Sequence, residues 1–235
     1  MRFSMNTEPS APMPERETAI VTVDIVLLTL EDARLKVALM TRAKPPFADA
    51  LALPGGYVHT DEDQDADAAA RRIMTTKLGF APSHMEQLET ICGPRRDPRG
   101  WSVSIVYVAL MAHEALQLHA AIPLQLHAVD ALPALAFDHN RIVARAVERL
   151  RSKGTYSTLP CHLLPAHFTI PQMHRVYERV LGTDLNRTSF TRKIGELGIL
   201  EPVGKAATAG RGRSPALYRL REELSYFHRP LGDTP

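Results

Sequence analysis

The alternation of apolar and polar positions divides this chain into a strand-rich first half and a helical second half. Ala19 to Leu30 and Leu35 to Met40 are aliphatic, β-branched runs separated by the polar EDAR, which predicts a hairpin or two adjacent buried strands. From Asp67 to Leu78 the spacing turns helical, with Ala69 and Ile73 among the periodic positions, and Gly79 follows where a helix C-cap belongs. Strand signals return at Gln87 to Ile91 and Val103 to Met111. Asp138 predicts the N-cap of a helix from Asn140 to Leu150, because Ile142, Val143, Ala146, Val147 and Leu150 form one apolar stripe. Next, Arg151 to His162 (RSKGTYSTLPCH) mixes glycine, proline and small polar residues between two periodic regions. That composition reads as a linker, with a domain boundary near Lys153 to Leu159.

Beyond the boundary, Thr169 starts a helix with Pro171 in its first turn, and Met173, Val176, Tyr177 and Val180 recur until Gly182 ends it. Asn186 then caps a second helix in which Phe190, Ile194 and Leu197 share one buried face, so that Arg187, Thr188, Ser189, Arg192 and Lys193 occupy the others. Gly198 stops this helix. Ile199 to Val203 and Ala216 to Leu220 read as two strands around a Gly/Ala/Arg-rich hairpin with Arg211 and Arg213 at its tip. Helix, turn, helix and β-wing make a double-stranded-DNA-reading architecture: Arg forks and hydroxyls at a helix N-terminus reach base edges, and two guanidiniums on a flexible wing suit phosphates or a narrow minor groove. The rival reading of the same pattern is a small helical protein-interaction domain with an exposed basic helix.

Charge sharpens this division although the net charge is only +2. Asp61, Glu62, Asp63, Asp65 and Asp67 form an acidic run without a base, which reads as solvated. From Arg187 to Arg221 the bases Arg187, Arg192, Lys193, Lys205, Arg211, Arg213, Arg219 and Arg221 face only Glu196 and Glu201, a patch of the kind phosphate backbones attract. With 235 residues, 45% hydrophobic and 23% charged, the chain has room for two cores and no apolar run of membrane-spanning length. The polar, proline-bearing segment 1–17 reads as a disordered leader on a cytoplasmic protein, without the apolar stretch of a signal peptide. Cys92 and Cys161 stand far apart, as reduced structural thiols would.

The candidate chemistry lies in Leu53 to Phe80, LPGGYVHTDEDQDADAAARRIMTTKLGF. Gly55-Gly56, Glu62, Arg71 and Gly79 sit at nearly the spacing of the Nudix box, but Arg72, Thr75 and Thr76 stand where three of its glutamates belong. A hard divalent cation needs several converging carboxylates, so no metal site and no catalytic residue is expected here. Arg71 is free to pair with Glu62 or Asp67. Two further segments carry a resemblance: GPRRDPRGWSVSIVYVAL, Gly93 to Leu110, and LLPAHFTIPQMHRVYERVLGTDLNRTSFTRKIGELGILEP, Leu163 to Pro202. Together the three resemble the Nudix-related transcriptional regulators of NAD metabolism, over nearly everything from Thr18 to Arg221, and their order across two domains is more specific than any one of them.

That resemblance implies a Nudix-like α/β/α sandwich over residues 18–153 and a C-terminal winged helix-turn-helix domain over 154–235. It implies no cofactor but an effector, ADP-ribose or a related nucleotide, and a homodimer that leaves operator DNA when the effector binds. A pyrophosphate held without metal needs cations, for which Arg is well suited. The candidate ligand-binding residues are therefore Arg42, Gly56, Arg95, Arg96, Arg99 and Ser104, against the alternative that Arg96, Asp97 and Arg99 form a structural turn closed by an internal ion pair. Trp101 and Tyr107 are candidates for stacking on adenine or for the core. The DNA-binding candidates are Arg187, Thr188, Ser189, Arg192, Lys193, Arg211 and Arg213. The competing function, from another class, is a Nudix hydrolase that cleaves ADP-ribose or another nucleoside diphosphate compound.

Overall fold

The computed structural model describes residues 18–119, 124–206 and 214–231; the leader and the wing-tip arginines Arg211 and Arg213 lie outside the described residues. The first half is a mixed sheet. Strand β1 (Ile20–Glu31) forms a hairpin with β2 (Arg34–Thr41) and carries β3 (Leu51–Ala52, on β2) and β4 (Gly55–Tyr57, on β1). Helix α1 (Ala66–Ile73) follows, then β5 (His84–Gly93), β6 (Ser102–Leu110), α2 (His113–His119), β7 (Gln125–Ala128) and α3 (His139–Gly154). The main strand order is β3-β2-β1-β6-β5, with β7 on β2; β1 and β6 are parallel and the remaining pairs antiparallel.

Alternation along β1 builds the layers. Successive side chains of a strand point to opposite faces. Val23, Ile25 and Leu27 therefore pack with Ala69, Ala70, Ile73 and Met74 of the α1 side, while Val26 and Leu28 pack with Ile142, Val143 and Ala146 of α3. The sheet lies between α1 and α3, as the α/β/α expectation required. Asp65 caps α1 by accepting the Ala68 N–H at 2.8 Å, replacing one of the partners that a helix start lacks.

The second half contains α4 (Ile170–Leu181), α5 (Arg187–Leu197), β8 (Leu200–Lys205) and β9 (Ala216–Leu220), the last two an antiparallel wing. Thr169 and Gln172 form a reciprocal capping box at the start of α4, and Asn186 accepts the Ser189 N–H at the start of α5. Gly182 and Gly198 end these helices at φ 70° and 63°, the left-handed backbone that glycine enters without a Cβ penalty.

One sequence expectation fails here for a tertiary reason. The stretch Arg151 to His162 is not an exposed linker: α3 continues to Gly154, and Ser157 to Leu164 are buried, including a 3-10 turn over Leu159–Leu163. Its polar groups are satisfied internally, since the Tyr177 hydroxyl donates to Ser157 O and Thr158 N–H to Ser225 O. The helix expected from Asp67 to Leu78 is present and ends at Gly79 as expected, but it is α-helical only to Ile73 and continues as a π turn over Met74–Leu78, with Gly79 N–H donating to both Met74 O and Thr75 O. A single apolar cluster runs from Val26 and Leu28 through α3 to Met173, Phe190 and Leu231, so the two halves share one core.

Candidate functional site

The cleft of the first half is built over one buried carboxylate. Asp24 interrupts the apolar run of β1 and is 8% exposed. Its Oδ2 accepts the Ser104 hydroxyl at 2.5 Å and lies 3.7 Å from Arg96 Nη2, while its Oδ1 is 3.8 Å from His139 Nε2. Leu53 N–H donates to His139 Nδ1 at 3.0 Å, which leaves Nε2 as the protonated nitrogen facing Asp24; burial holds this ring below its ordinary pKa and therefore neutral. Parallel pairing sets the floor, because Thr22 lies opposite Ser104 in the β1/β6 register and Asp24 two residues on. A Cβ on Gly55 would lie 2.2 Å from Asp24 Oδ1, so the close approach of β4 to this carboxylate requires glycine. At Gly56, the glycine singled out from the sequence, an added Cβ meets Ile73 and the Lys77 ammonium at ordinary contact distance.

Arginines and aromatic rings surround this floor. Arg96 donates from Nη2 to Asp138 Oδ1 at 3.0 Å and from Nη1 to the Ser102 hydroxyl at 3.3 Å, and its side chain is 8% exposed. Asp138 therefore does not cap α3 with its side chain. Arg99 makes a forked pair with Asp97, Nη2 to Oδ2 at 2.6 Å and Nε to Oδ1 at 3.0 Å, which holds the Asp97 carboxyl below the usual carboxylate range. The same guanidinium lies 5.5 Å from the Tyr57 ring centroid and donates to its hydroxyl. Arg42 sits 4.7 Å from the Phe137 centroid and donates to Pro46 O at 2.9 Å; burial and the nearby Arg99 hold its pKa down. A cleft of ≈ 420 Å³ is lined by Phe47, Phe137, Asp138 and residues of the turn Pro94 to Gly100.

The structure thus brings Arg42, Arg95, Arg96 and Arg99 to one neighbourhood, with unequal access. Arg95 lines the cleft and is exposed, with no ion-pair partner among the described residues. Arg96 and Arg99 are paired, the internal ion-pair turn that the sequence left as an alternative, except that Arg96 takes Asp138 instead of Asp97. Ser104 is fully buried with its hydroxyl on Asp24, which places it beneath the floor and not on its surface. Asp24, His139 and the rings Phe47, Tyr57 and Phe137 were not singled out from the sequence, and Asp138 was read there only as a helix cap. Asp24 carried a signal, a charged residue within an apolar strand. The rings carried none.

The helix that would host metal ligands is closed on itself. Thr75 and Thr76 donate to Arg71 O and Arg72 O, and Arg71 pairs with Asp67 at 2.7 Å. Arg72 clamps Asp63, whose side chain is only 2% exposed and whose pKa is lowered to about 2 by that hydrogen bond. The reading of Asp63 as solvated is corrected by this pair, which forms because the loop after β4 folds back over α1. Lys77, in the π turn, donates its ammonium to Gly55 O, and burial lowers its pKa. Among the described residues no three His, Cys, Asp or Glu side chains converge as a cation site. Cys92 is exposed on β5 instead of packed, whereas Cys161 is buried with its thiol pushed up to about 12.

In the second half, α5 displays Arg187, Thr188, Ser189 and Arg192 on its exposed side while Phe190 and Ile194 face the core. Arg192 approaches Glu196 at 3.5 Å, both exposed. Lys193 differs from the expectation: it is half-buried and its ammonium donates to Pro230 O, because the C-terminal segment returns along this flank of α5. Arg219 pairs with Glu201 across the wing at 2.9 Å. The preceding helix α4 adds exposed Arg175 and Arg179.

A family model described as the NrtR DNA-binding winged helix domain matches residues 160–220. The chain is 35% identical over 215 residues to the ADPR responsive transcriptional repressor NtrR of Acinetobacter baylyi, covering 90% of this chain and 86% of that protein. The crystal structure of Shewanella oneidensis NrtR complexed with a 27mer DNA is similar with a TM-score of 0.82 at 34% identity, covering 90% of this chain and 99% of that one. The cocrystal structure of the NUDIX domain of Shewanella oneidensis NrtR with ADP ribose is similar at 36% identity and a TM-score of 0.51, covering 57% of this chain and 90% of that one.

Proposed function

The chain belongs to the NrtR family of Nudix-related transcriptional regulators, and from that premise we propose that it is an ADP-ribose-responsive, DNA-binding repressor of genes of NAD metabolism. One observation carries the reading: a cleft of anchored arginines, with no cluster of His, Cys, Asp or Glu suited to a metal ion among the described residues, is joined in the same chain to a helix whose exposed side is Arg187, Thr188, Ser189 and Arg192. The first arrangement suits holding a pyrophosphate without hydrolysing it. The second suits a major groove.

In this reading Arg95 and Arg42 meet the phosphates, with Gly56 beside them, while Arg96 and Arg99, braced by Asp138 and Asp97, and Ser104, through Asp24, set the shape of the cleft. Arg187, Thr188, Ser189 and Arg192 read DNA, and Arg211 and Arg213 follow the backbone. Lys193 contributes mainly by fixing α5. Residues 18–153 sense and 154–235 read. The protein works in the cytoplasm as a homodimer, without a resident cofactor and without hydrolase activity. An effector changes DNA affinity only by binding two arrangements unequally, and DNA must then weaken effector binding by the same factor. Because the two halves of one chain share a core, the two arrangements are those of the protomers in the dimer, which set the half-site spacing.

The test is a gel shift on the upstream region of the genes it controls. A sequence-preferring complex that weakens steeply with salt and dissociates on adding ADP-ribose is expected. A complex indifferent to ADP-ribose overturns the reading, and Mg²⁺-dependent AMP release at about 1 per second or faster returns the chain to the hydrolases.

A further inference from the structure

A second cavity, of ≈ 650 Å³, lies away from the effector cleft, at the seam between the two halves of the chain. Met111, Ala112 and Ala115, from the end of β6 and the start of α2, line it from the first half, and Leu164, Phe168 and Leu220 from the second. It shares no lining residue with the cleft around Arg95. Hydrogen bonds fix its walls. Phe168 N–H donates to Tyr218 O at 2.9 Å and Tyr218 N–H returns to Phe168 O at 2.8 Å, which ties the segment before α4 to the wing strand β9. The Ser83 hydroxyl bridges Leu110 O at 2.7 Å and His162 O at 3.1 Å, joining the end of β6 to the 3-10 turn. Small aliphatic side chains thus face an aromatic ring across a space that the backbone keeps open. Such walls give water few partners, and the volume is that of a site for an organic molecule.

The charges at the mouth decide which molecule. Glu114, Glu222 and Glu223 stand there with Arg219 and Arg221. Both arginines act on another carboxylate: Arg219 pairs with Glu201 across the wing at 2.9 Å, and Arg221 adds to the pull that holds Glu201 below its ordinary range. Glu114 and Glu223 are exposed and have no ion-pair partner among the described residues, while Glu222 meets the Ser225 hydroxyl at 3.4 Å. His162 Nε2 donates to Glu223 O at 2.6 Å, which fixes the Glu223 backbone at the mouth; burial keeps this ring neutral, so it offers no compensating charge. An apolar chamber beneath uncompensated carboxylates favours an apolar body with a cationic head and disfavours its anionic counterpart.

We propose that the seam cavity is a second small-molecule site, which takes an organic amine, its apolar body lying between Met111 and Phe168 and its ammonium meeting Glu114 and Glu223. Because the walls come from both halves, such a ligand binds the docked chain and stabilises it by mass action. NMR of the full chain labelled at its methionine methyls tests this with 4-phenylbutylamine as the probe. The control is 5-phenylpentanoate, the same apolar body with the opposite charge. The Met111 signal, identified by its loss in Met111→Leu, should shift saturably with the amine, with a dissociation constant on the order of 1 mM or tighter, and the melting temperature should rise. The carboxylate should bind at least about tenfold more weakly, and Glu114→Gln combined with Glu223→Gln should weaken the amine at least about threefold. Ala115→Leu, which fills the chamber, should abolish the shift without lowering the melting temperature. An unmoved Met111 signal, equal affinities for amine and carboxylate, or an amine affinity unchanged by either set of substitutions overturns the site. A Met111 signal that moves with protein concentration in the absence of probe also overturns it, because a second copy of the chain then fills the cavity.

Discussion

The arginines of the cleft and those of α5 are the same side chain in opposite settings. Arg96 is 8% exposed and Arg99 is locked in a forked pair, each on a carboxylate within 3.0 Å, whereas Arg187 and Arg192 stand in water, the latter reaching only an exposed Glu196 at 3.5 Å. An exposed i,i+4 pair contributes about 0.3–0.5 kcal/mol, too little to hold a side chain against a phosphate. Buried pairs behave differently, since removing one partner strands the other's charge. Arg96 and Arg99 are therefore architecture, whereas Arg95 in the cleft and the arginines of α5 are available for a partner.

The sharpest way to break that contrast is Arg96→Met. It leaves Asp24 and Asp138 without their shared cation and should lower folding stability by about 3–5 kcal/mol, read by denaturant unfolding. A loss below about 1 kcal/mol would make the cleft arginine equivalent to a surface one.

The junction between the regions gives the next largest effect. His162 stacks on His84 at 4.7 Å, bonds to Glu223 O, and is held at about 4 by burial. Glu86, which faces His84 and Lys153, sits at about 2, because hydrogen bonds from both outweigh its burial. As pH falls from about 6.5 to 4 the unfolded chain takes up a proton at His162 that the folded chain refuses. Stability should decline by on the order of 3 kcal/mol across that window. Glu86 and Asp63 have depressed values, so their contribution persists above about 4.5 and is lost as pH falls towards 2. Unfolding free energies measured against pH should show the upper slope flattened by His162→Gln and the lower one retained.

Arg192→Ala should leave stability within about 0.5 kcal/mol and weaken operator binding by about 1–3 kcal/mol, with ADP-ribose affinity unchanged in calorimetry. Lys193→Ala gives the smallest change in DNA affinity, since its ammonium already serves Pro230 O. A larger loss of operator affinity for Lys193 than for Arg192 would reverse the assignment of the reading side of α5.

Periodic features were legible because their cause is local. The apolar run from Ala19 to Leu30 marked β1 as a buried strand, and the Phe190/Ile194 spacing oriented α5. Glycines past helix ends and the Thr169 and Asn186 caps marked boundaries within one residue. The cleft arginines were legible as a group, from their density near Asp97, but not their partners: Arg96 meets Asp138 across 42 residues and Asp24 across 72. The composition of Arg151 to His162 resembled a linker because small polar residues serve equally in a loop and in a buried turn whose hydrogen bonds involve Tyr177 and Ser225.

The order of residues alone decided which segments are strands and helices and which of their faces are apolar, since each of these depends on neighbours within a few positions. Tertiary structure decided which charges are free. Whether an arginine is a brace or a hand for phosphate depends on carboxylates brought to it by the β1/β6 register and the start of α3, and desolvation, which makes such a pair rigid, exists only once the sheet and helices have closed around it.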